Sequence, residues 1–230
     1  MKNIFIIVAG GSGVRMNATT PKQFIELGNK TILHHTISTF YLFDSNAEII
    51  VVLPSNKIDE WKTIIKKYNI KIPHTIISGG EERFYSVRNA IESINCNDAI
   101  VSIHDGVRPL VNHKTINNCI EAAKIHGASI PVVELKESIR LVEPNSHKAL
   151  DRKNYRLVQT PQSFKLEVIK KAYTQLFQQK FTDDASVVEK LGVKISLVEG
   201  NYENIKITTP SDLIIAESIL KNNFLAKSLY

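Results

Sequence analysis

The sequence predicts an α/β domain of the doubly wound class, a mostly parallel sheet with helices on both faces. Two observations carry this: short unbroken apolar runs recur along the chain, and amphipathic helix patterns separate them. The runs are Ile4–Val8, Ile49–Leu53, His74–Ser78, Ala99–His104, Ala128–Val133 and Ile195–Val198. An unbroken run, rather than an alternating one, suits a strand buried on both faces. The helix candidates between the early runs are Ile32–Phe43, Lys57–Tyr68, Tyr85–Ile94 and His113–His126. A further helix is expected over Leu166–Gln178, and a last one from Pro210-Ser211-Asp212 to about Leu220. Ser211 is a candidate N-cap for that last helix, with Thr209 as its competitor.

The pattern changes after Pro131. From Val132 to Val158 the sequence reads VVELKESIRLVEPNSHKALDRKNYRLV, with apolar–polar alternation around Ser138–Leu141 and a turn-like Pro-Asn-Ser-His centre. This predicts a β-hairpin arm at about 134–157. An ordinary surface hairpin is the simpler alternative to a functional arm. No internal repeat, low-complexity tract or long linker interrupts the 230 residues, so one domain, 1–230, with one excursion is expected.

Composition narrows the functional classes. A hydrophobic fraction of 43% and a charged fraction of 23% are those of a folded globular chain. Cys96 and Cys119 are too few for a disulfide framework or a structural zinc site, and both are expected to be reduced thiols. The first apolar run is too short for a signal-peptide core, and no stretch approaches a membrane span, so a cytoplasmic location with no membrane partner is expected. The net charge of +6 favours anionic partners. Lys62, Lys66 and Lys67 describe a solvated helix face, and a second basic group gathers at Lys148, Arg152, Lys153 and Arg156. Neither has the interleaved aromatics of a single-strand platform, so nucleic acid is not the expected partner.

The chemistry-bearing segments stand beyond the apolar runs. Val8–Met16, VAGGSGVRM, follows the first run, and its glycines let backbone N–H groups wrap a phosphate. It fails the dinucleotide fingerprint at Met16 and the P-loop at Val14-Arg15-Met16. What remains is a glycine-rich turn followed by two cations, Arg15 and Lys22, an arrangement suited to a triphosphate. A tight strand–helix turn with solvated basic residues is the alternative. In Ile77–Ile91, ISGGEERFYSVRNAI, backbone at Gly80-Glu81 can read a base edge and Ser86 adds a hydroxyl. Taken alone, the segment reads more simply as an ordinary glycine turn before a helix. Asp105, in SIHDGVRPL, ends a buried run, where a carboxylate is costly unless paired or metal-bound. It can hold Mg²⁺, or pair structurally with Arg108. Lys206 lies in the apolar, strand-like stretch of ENIKITTPSDL, and Asp183-Asp184 are expected to cap a helix.

Taken in order, AGGSGVRM, PKQF, GGEERFYSV, HDGVRP, QTPQSF, TDDAS and NIKITTPSDL span about nine-tenths of the chain. This series resembles the cytidylyltransferases that act on 2-C-methyl-D-erythritol 4-phosphate in non-mevalonate isoprenoid synthesis. The resemblance implies a Rossmann-like core, a homodimer joined by exchanged β-arms, CTP and a sugar-alcohol phosphate as substrates, Mg²⁺ as cofactor and pyrophosphate as by-product. It implies that Ala9, Gly10, Gly11 and Gly13 hold the triphosphate, while Arg15 and Lys22 stabilise the transition state. Gly80, Glu81 and Ser86 would border the cytosine, and Asp105 and Gly106 the ribose, metal or acceptor. Arg108, Ser138, Arg152, Thr182 and Lys206 would hold the acceptor, with Arg152 and Lys206 positioning its nucleophilic oxygen. The chain departs from the usual pattern at Ala9-Gly10-Gly11 for Ala-Ala-Gly, at HDGVRP for HDAARP, and at Glu137-Ser138-Ile139-Arg140 for Asp-Thr-Ile-Lys. A sister family that makes CDP-ribitol shares AGG and QTPQSF, whereas TDDAS and GG-x-x-R-x-x-SV favour the methylerythritol enzymes. A ribitol-5-phosphate cytidylyltransferase and a non-catalytic nucleotide-binding protein are the two alternatives.

Overall fold

The computed structural model describes residues 1–10 and 20–227. Its centre is the parallel set β1 (Lys2–Val8), β4 (Glu48–Leu53), β5 (Thr75–Ser78) and β6 (Ala99–Asp105), after a small hairpin of β2 (Glu26–Leu27) and β3 (Lys30–Thr31). The sheet continues through β7 (Ala128–Glu134), past the hairpin of β8 (Ile139–Glu143) and β9 (Ser146–Leu150), to β10 (Arg156–Val158), β11 (Gln162–Lys165) and β12 (Ser196–Glu199). Its order runs β10, β7, β11, β6, β1, β4, β5, with β12 also on β7. Only β10 and β11 run against the common direction.

Every residue of β6 is buried, as an unbroken apolar run predicts. Alternate residues of β1 and β4 face opposite ways. Ile4, Ile6, Ile50 and Val52 meet α3 (Arg83–Glu92), α5 (Leu166–Ala172) and α6 (Asp184–Glu189). Phe5, Ile7, Ile49 and Val51 meet α1 (Ile32–Phe43), α2 (Ile58–Lys67) and α4 (His113–His126). A third cluster joins Leu27, Ile32, Val107, Leu110 and Ile207 to Ala216 of α7 (Pro210–Lys227). α1 and α4 keep their predicted limits, with Thr31 and Asn112 capping them through side-chain oxygens. Lys62, Lys66 and Lys67 are exposed on α2 as expected.

Three expectations are corrected and one strand is added. QTPQSF, which carried no element assignment, supplies the antiparallel strand β11 from Gln162. It escapes an apolar-run search because its buried Gln162 and Ser163 take polar partners: Ser163 Oγ lies 2.7 Å from Ser102 Oγ, and Gln162 bonds Asp183 and the Ala185 amide. α5 stops at Ala172 rather than Gln178, because Tyr173 turns inward and donates its hydroxyl to Asp184. Thr209, not Ser211, caps α7: its Oγ accepts the Asp212 amide while Asp212 accepts the Thr209 amide, a reciprocal box. Lys206 is not on a strand; its segment is irregular and joins the core through the Ile207 amide on Val107 O. Of the two adjacent carboxylates, Asp183 caps α6 as expected, and Asp184 does something else.

β8 and β9 form the predicted arm, turning at Pro144-Asn145, and their side chains are largely exposed, Val142 at 74%. Cys96 and Cys119 are free thiols.

His104, fully buried one residue before the end of β6, fixes that end of the strand. Its Nε2–H donates to Arg108 O at 2.9 Å, and its Nδ1 accepts from Thr160, which in turn receives the Asp105 amide. Burial pulls its pKa down to about 4, against weaker opposing help from the Arg108 carbonyl. Burial likewise takes His34 to about 4, with Lys30 and His35 adding to the drop. Both depressions mean that the unfolded chain takes up these protons first. The stability they protect is complete above about pH 6.5 and is lost as pH falls toward 4, up to roughly 3 kcal/mol from His104. Urea denaturation from pH 7.5 to 4.5 should show this decline, and imidazole ¹⁵N shifts should keep His104 neutral at pH 5.5. A protonated His104 ring at that pH would contradict the arrangement.

Candidate active site

β1 and β6 are paired so that Val8 lies opposite Asp105, and both strands end at one level. Beyond them opens a cavity of about 240 Å³, between the turn after β5 and the segment that carries Lys206. Of the residues singled out from sequence, Ala9, Gly10, Lys22, Gly80, Glu81, Ser86, Asp105 and Lys206 line it. Gly11, Gly13 and Arg15 lie outside the described residues.

The turn after β5 lies tightly on the start of α3. The Gly80 amide donates to Ser86 Oγ at 3.1 Å, and a Cβ on Gly80 would sit 2.5 Å from the Tyr85 Cβ. Gly106 does not line the cavity. Its amide donates to Val8 O at 2.8 Å, and a Cβ there would meet Ala9 Cβ at 2.9 Å, so it locks the ends of β6 and β1 together.

Asp105 gathers the cations. Oδ2 takes Lys206 Nζ at 2.9 Å and Arg108 Nε at 3.3 Å, while Arg83 Nε stands 3.9 Å from Oδ1. Burial opposes the charge, but Arg83, Lys206 and Arg108 outweigh it and hold the carboxyl well below the usual range. Arg108 lies behind the lining and also donates to Asn204 O at 2.8 Å, so it serves Asp105 from the protein side. Its sequence-level alternative, a structural Asp–Arg pair, is therefore present alongside the Lys206 contact.

Besides Gly106 and Arg108, three predicted residues stand outside the cavity of their own chain. Ser138 and Arg152 are exposed at the base of the arm, where Arg152 donates to Lys136 O. Thr182 is exposed two residues before Asp184.

Sequence reasoning gave no site role to Arg83, Asp184, Gln23 or Glu82. Arg83 grips the fully buried Asp184 with two parallel bonds of 2.8 and 2.7 Å, and Tyr173 donates to the same carboxylate at 2.6 Å. Burial opposes the Arg83 charge, but Asp184 holds its pKa above the ordinary value. One signal was available: an arginine opening a helix sits at the unfavourable, positive end of the dipole, and a nearby carboxylate offsets that. Gln23 donates to Ala9 O at 2.9 Å, tying the Lys22 segment to the end of β1. A cavity so lined offers cations to phosphate oxygens at its centre, a backbone edge and hydroxyl on one side, and a paired lysine on the other.

Comparison with known proteins identifies the family and the fold. Residues 3–222 match the family model of IspD, 2-C-methyl-D-erythritol 4-phosphate cytidylyltransferase. The chain is 46% identical over 220 residues to the protein of that name from Bacteroides thetaiotaomicron, covering 96% of this chain and 100% of the relative. The crystal structure of 4-diphosphocytidyl-2C-methyl-D-erythritol synthase from Anaerococcus prevotii superposes with a TM-score of 0.80 at 29% identity, over 96% of each chain. The 2-C-methyl-D-erythritol 4-phosphate cytidylyltransferase of Thermus thermophilus gives 0.75 at 29%, over 96% of this chain and all of that one. The chain thus belongs to the 2-C-methyl-D-erythritol 4-phosphate cytidylyltransferase family of nucleotidyltransferases.

Proposed function

We propose that this protein transfers the cytidylyl group of CTP to 2-C-methyl-D-erythritol 4-phosphate and releases pyrophosphate. The observation that carries the reading is the convergence of the Ala9-Gly10 backbone, Lys22, the Gly80–Ser86 turn and the Asp105–Lys206 pair on one cavity. In this reading Ala9 and Gly10, with Gly11 and Gly13, cradle the triphosphate, and Arg15 and Lys22 meet the charge that develops at the α-phosphorus. Gly80 and Glu81 take the cytosine edge with Ser86, whose hydroxyl also braces the Gly80 amide. Gly106 keeps the floor close to β1.

An oxygen of the acceptor phosphate attacks the α-phosphorus in line with the leaving pyrophosphate. A phosphate monoester is already largely dianionic near neutral pH, so no dedicated general base is needed. Catalysis then rests on alignment and on preorganised cations. Lys206, 44% exposed and fixed by Asp105 at 2.9 Å, orients its ammonium toward the acceptor side. Arg108 holds the far side of Asp105, and Thr182, Ser138 and Arg152 complete the acceptor contacts.

Mg²⁺ fits the donor set. Among the described residues no cluster of three His, Cys, Asp or Glu side chains makes a resident metal site. Asp105 lines the cavity and supplies hard carboxylate oxygens, and Mg²⁺ commonly takes one carboxylate with phosphates and water. When bound with the nucleotide it supplies charge neutralisation to the triphosphate oxygens.

The reading includes a homodimer that exchanges arms. Ser138 and Arg152 stand away from their own cavity, the arm is solvent-exposed, and Leu157, Val158 and Leu197 leave apolar surface open near its root. No described helix is long and apolar enough to cross a membrane, and a cytoplasmic setting accords with the two free thiols.

Two experiments check this. Pyrophosphate release with CTP and Mg²⁺ should show a far higher kcat/KM for 2-C-methyl-D-erythritol 4-phosphate than for ribitol 5-phosphate. A reversed preference would assign the sister activity, and no release with either would leave a nucleotide-binding protein. Mixing Arg152→Ala with Lys22→Ala subunits should restore about one working site per mixed dimer, whereas each homodimer is nearly inactive. A fully active monomer would exclude the exchange.

A further inference from the structure

One guanidinium touches three segments that lie far apart in the sequence. Arg83 opens α3, and the turn Gly79–Glu82 precedes it directly, packed on Tyr85 and bonded to Ser86. Its terminal nitrogens are committed to Asp184, the first residue of α6, at 2.8 and 2.7 Å. Its Nε edge faces Asp105 at the end of β6, 3.9 Å away, too long for a hydrogen bond. The side chain is 32% exposed and lines the cavity, whereas Asp184 is wholly buried and receives a third bond from Tyr173. The anchor is therefore buried and bidentate, and among the described residues the Nε edge has no hydrogen-bond partner.

We infer that Arg83, anchored by Asp184, is a positioning residue that holds the nucleotide half and the acceptor half of the cavity in register. The inference rests on the cytidylyltransferase reading above. The Gly80–Ser86 turn moves with the start of α3, and Thr182 moves with the start of α6. A bidentate pair between those two helix starts fixes the distance between what they carry. Asp184 also holds the Arg83 guanidinium back from Asp105, whose Oδ2 takes Lys206 and Arg108. Neutral Asp184 would release the guanidinium toward Asp105 and draw the α3 start with it.

The test separates alignment from binding and from folding. Asp184→Asn preserves size and an oxygen for Tyr173 but removes the anchor's charge. Arg83→Gln leaves a buried unpaired carboxylate, and its melting temperature should fall by roughly 10 °C. Arg83→Gln with Asp184→Asn leaves neither charge buried alone, and most of that loss should return. In Asp184→Asn and in the double variant kcat should fall about 10²-fold, because a displacement near 1 Å between reacting groups has that effect. The CTP dissociation constant, measured by calorimetry without acceptor, should change by less than about threefold. A double variant that regains both melting temperature and wild-type kcat would make the pair purely structural and overturn the inference. CTP affinity falling in step with kcat would overturn it too, making Arg83 a direct nucleotide ligand. Wild-type turnover of CTP with the methylerythritol acceptor, measured alongside, reports separately on the underlying reading.

Discussion

An ionised carboxylate at the end of a fully buried strand governs the architecture around it. Asp105 is affordable there only because Lys206, Arg108 and Arg83 reach it from three directions. Each cation in turn needs its own support. Arg108 is steadied by Asn204 O, Arg83 by Asp184, and Lys206 by a segment whose backbone returns to Val107. Asp184 extends the chain of dependence to Tyr173, which is why α5 ends where it does. The charge on one residue thus dictates the placement of an irregular loop, a helix start and a helix stop.

The same end of the sheet is held by close backbone approach. Val8 and Asp105 are in register, Gly106 returns its amide to Val8 O, and no side chain larger than hydrogen fits at Gly106 without moving Ala9. His104 and Thr160 then pin Asp105 from behind through its amide. Carboxylate, glycine turn and Gln23-tethered lysine segment are therefore mounted on rigid strands, which suits chemistry that depends on alignment more than on proton transfer.

Much of this could be read in the residues. The parallel core was legible because strands buried on both faces leave unbroken apolar runs, and α1 and α4 because caps and periodicity agree. The hairpin arm followed from alternation around a Pro-Asn turn. Asp105 announced itself as an acid closing an apolar strand, and Gly80 and Ser86 as a glycine turn at a helix start. β11 was hidden because two of its buried residues, Gln162 and Ser163, are polar and satisfied by partners 21 to 61 positions away. Arg83 and Asp184 were hidden for a similar reason, since their pairing spans 101 positions and its only local trace is a cation at a helix start. Ser138, Arg152 and Thr182 were named through family resemblance, and a single chain does not bring them to the cavity. Local signals report strands and turns; long-range charge pairs leave almost no trace in either neighbourhood.

The sheet order has a consequence for the growing chain. β1, β4, β5 and β6 are complete once residue 105 has emerged, yet the far edge of β6 is closed only by β11, which begins at Gln162. Until then a long, apolar strand in the middle of the future sheet presents unpaired amides and carbonyls to its surroundings. The lysine that compensates Asp105 arrives a further forty-odd residues later, at 206. The first half of the sequence is therefore no independent module. A chain halted between these points leaves one edge of β6 unpaired, the condition that favours association with other strands.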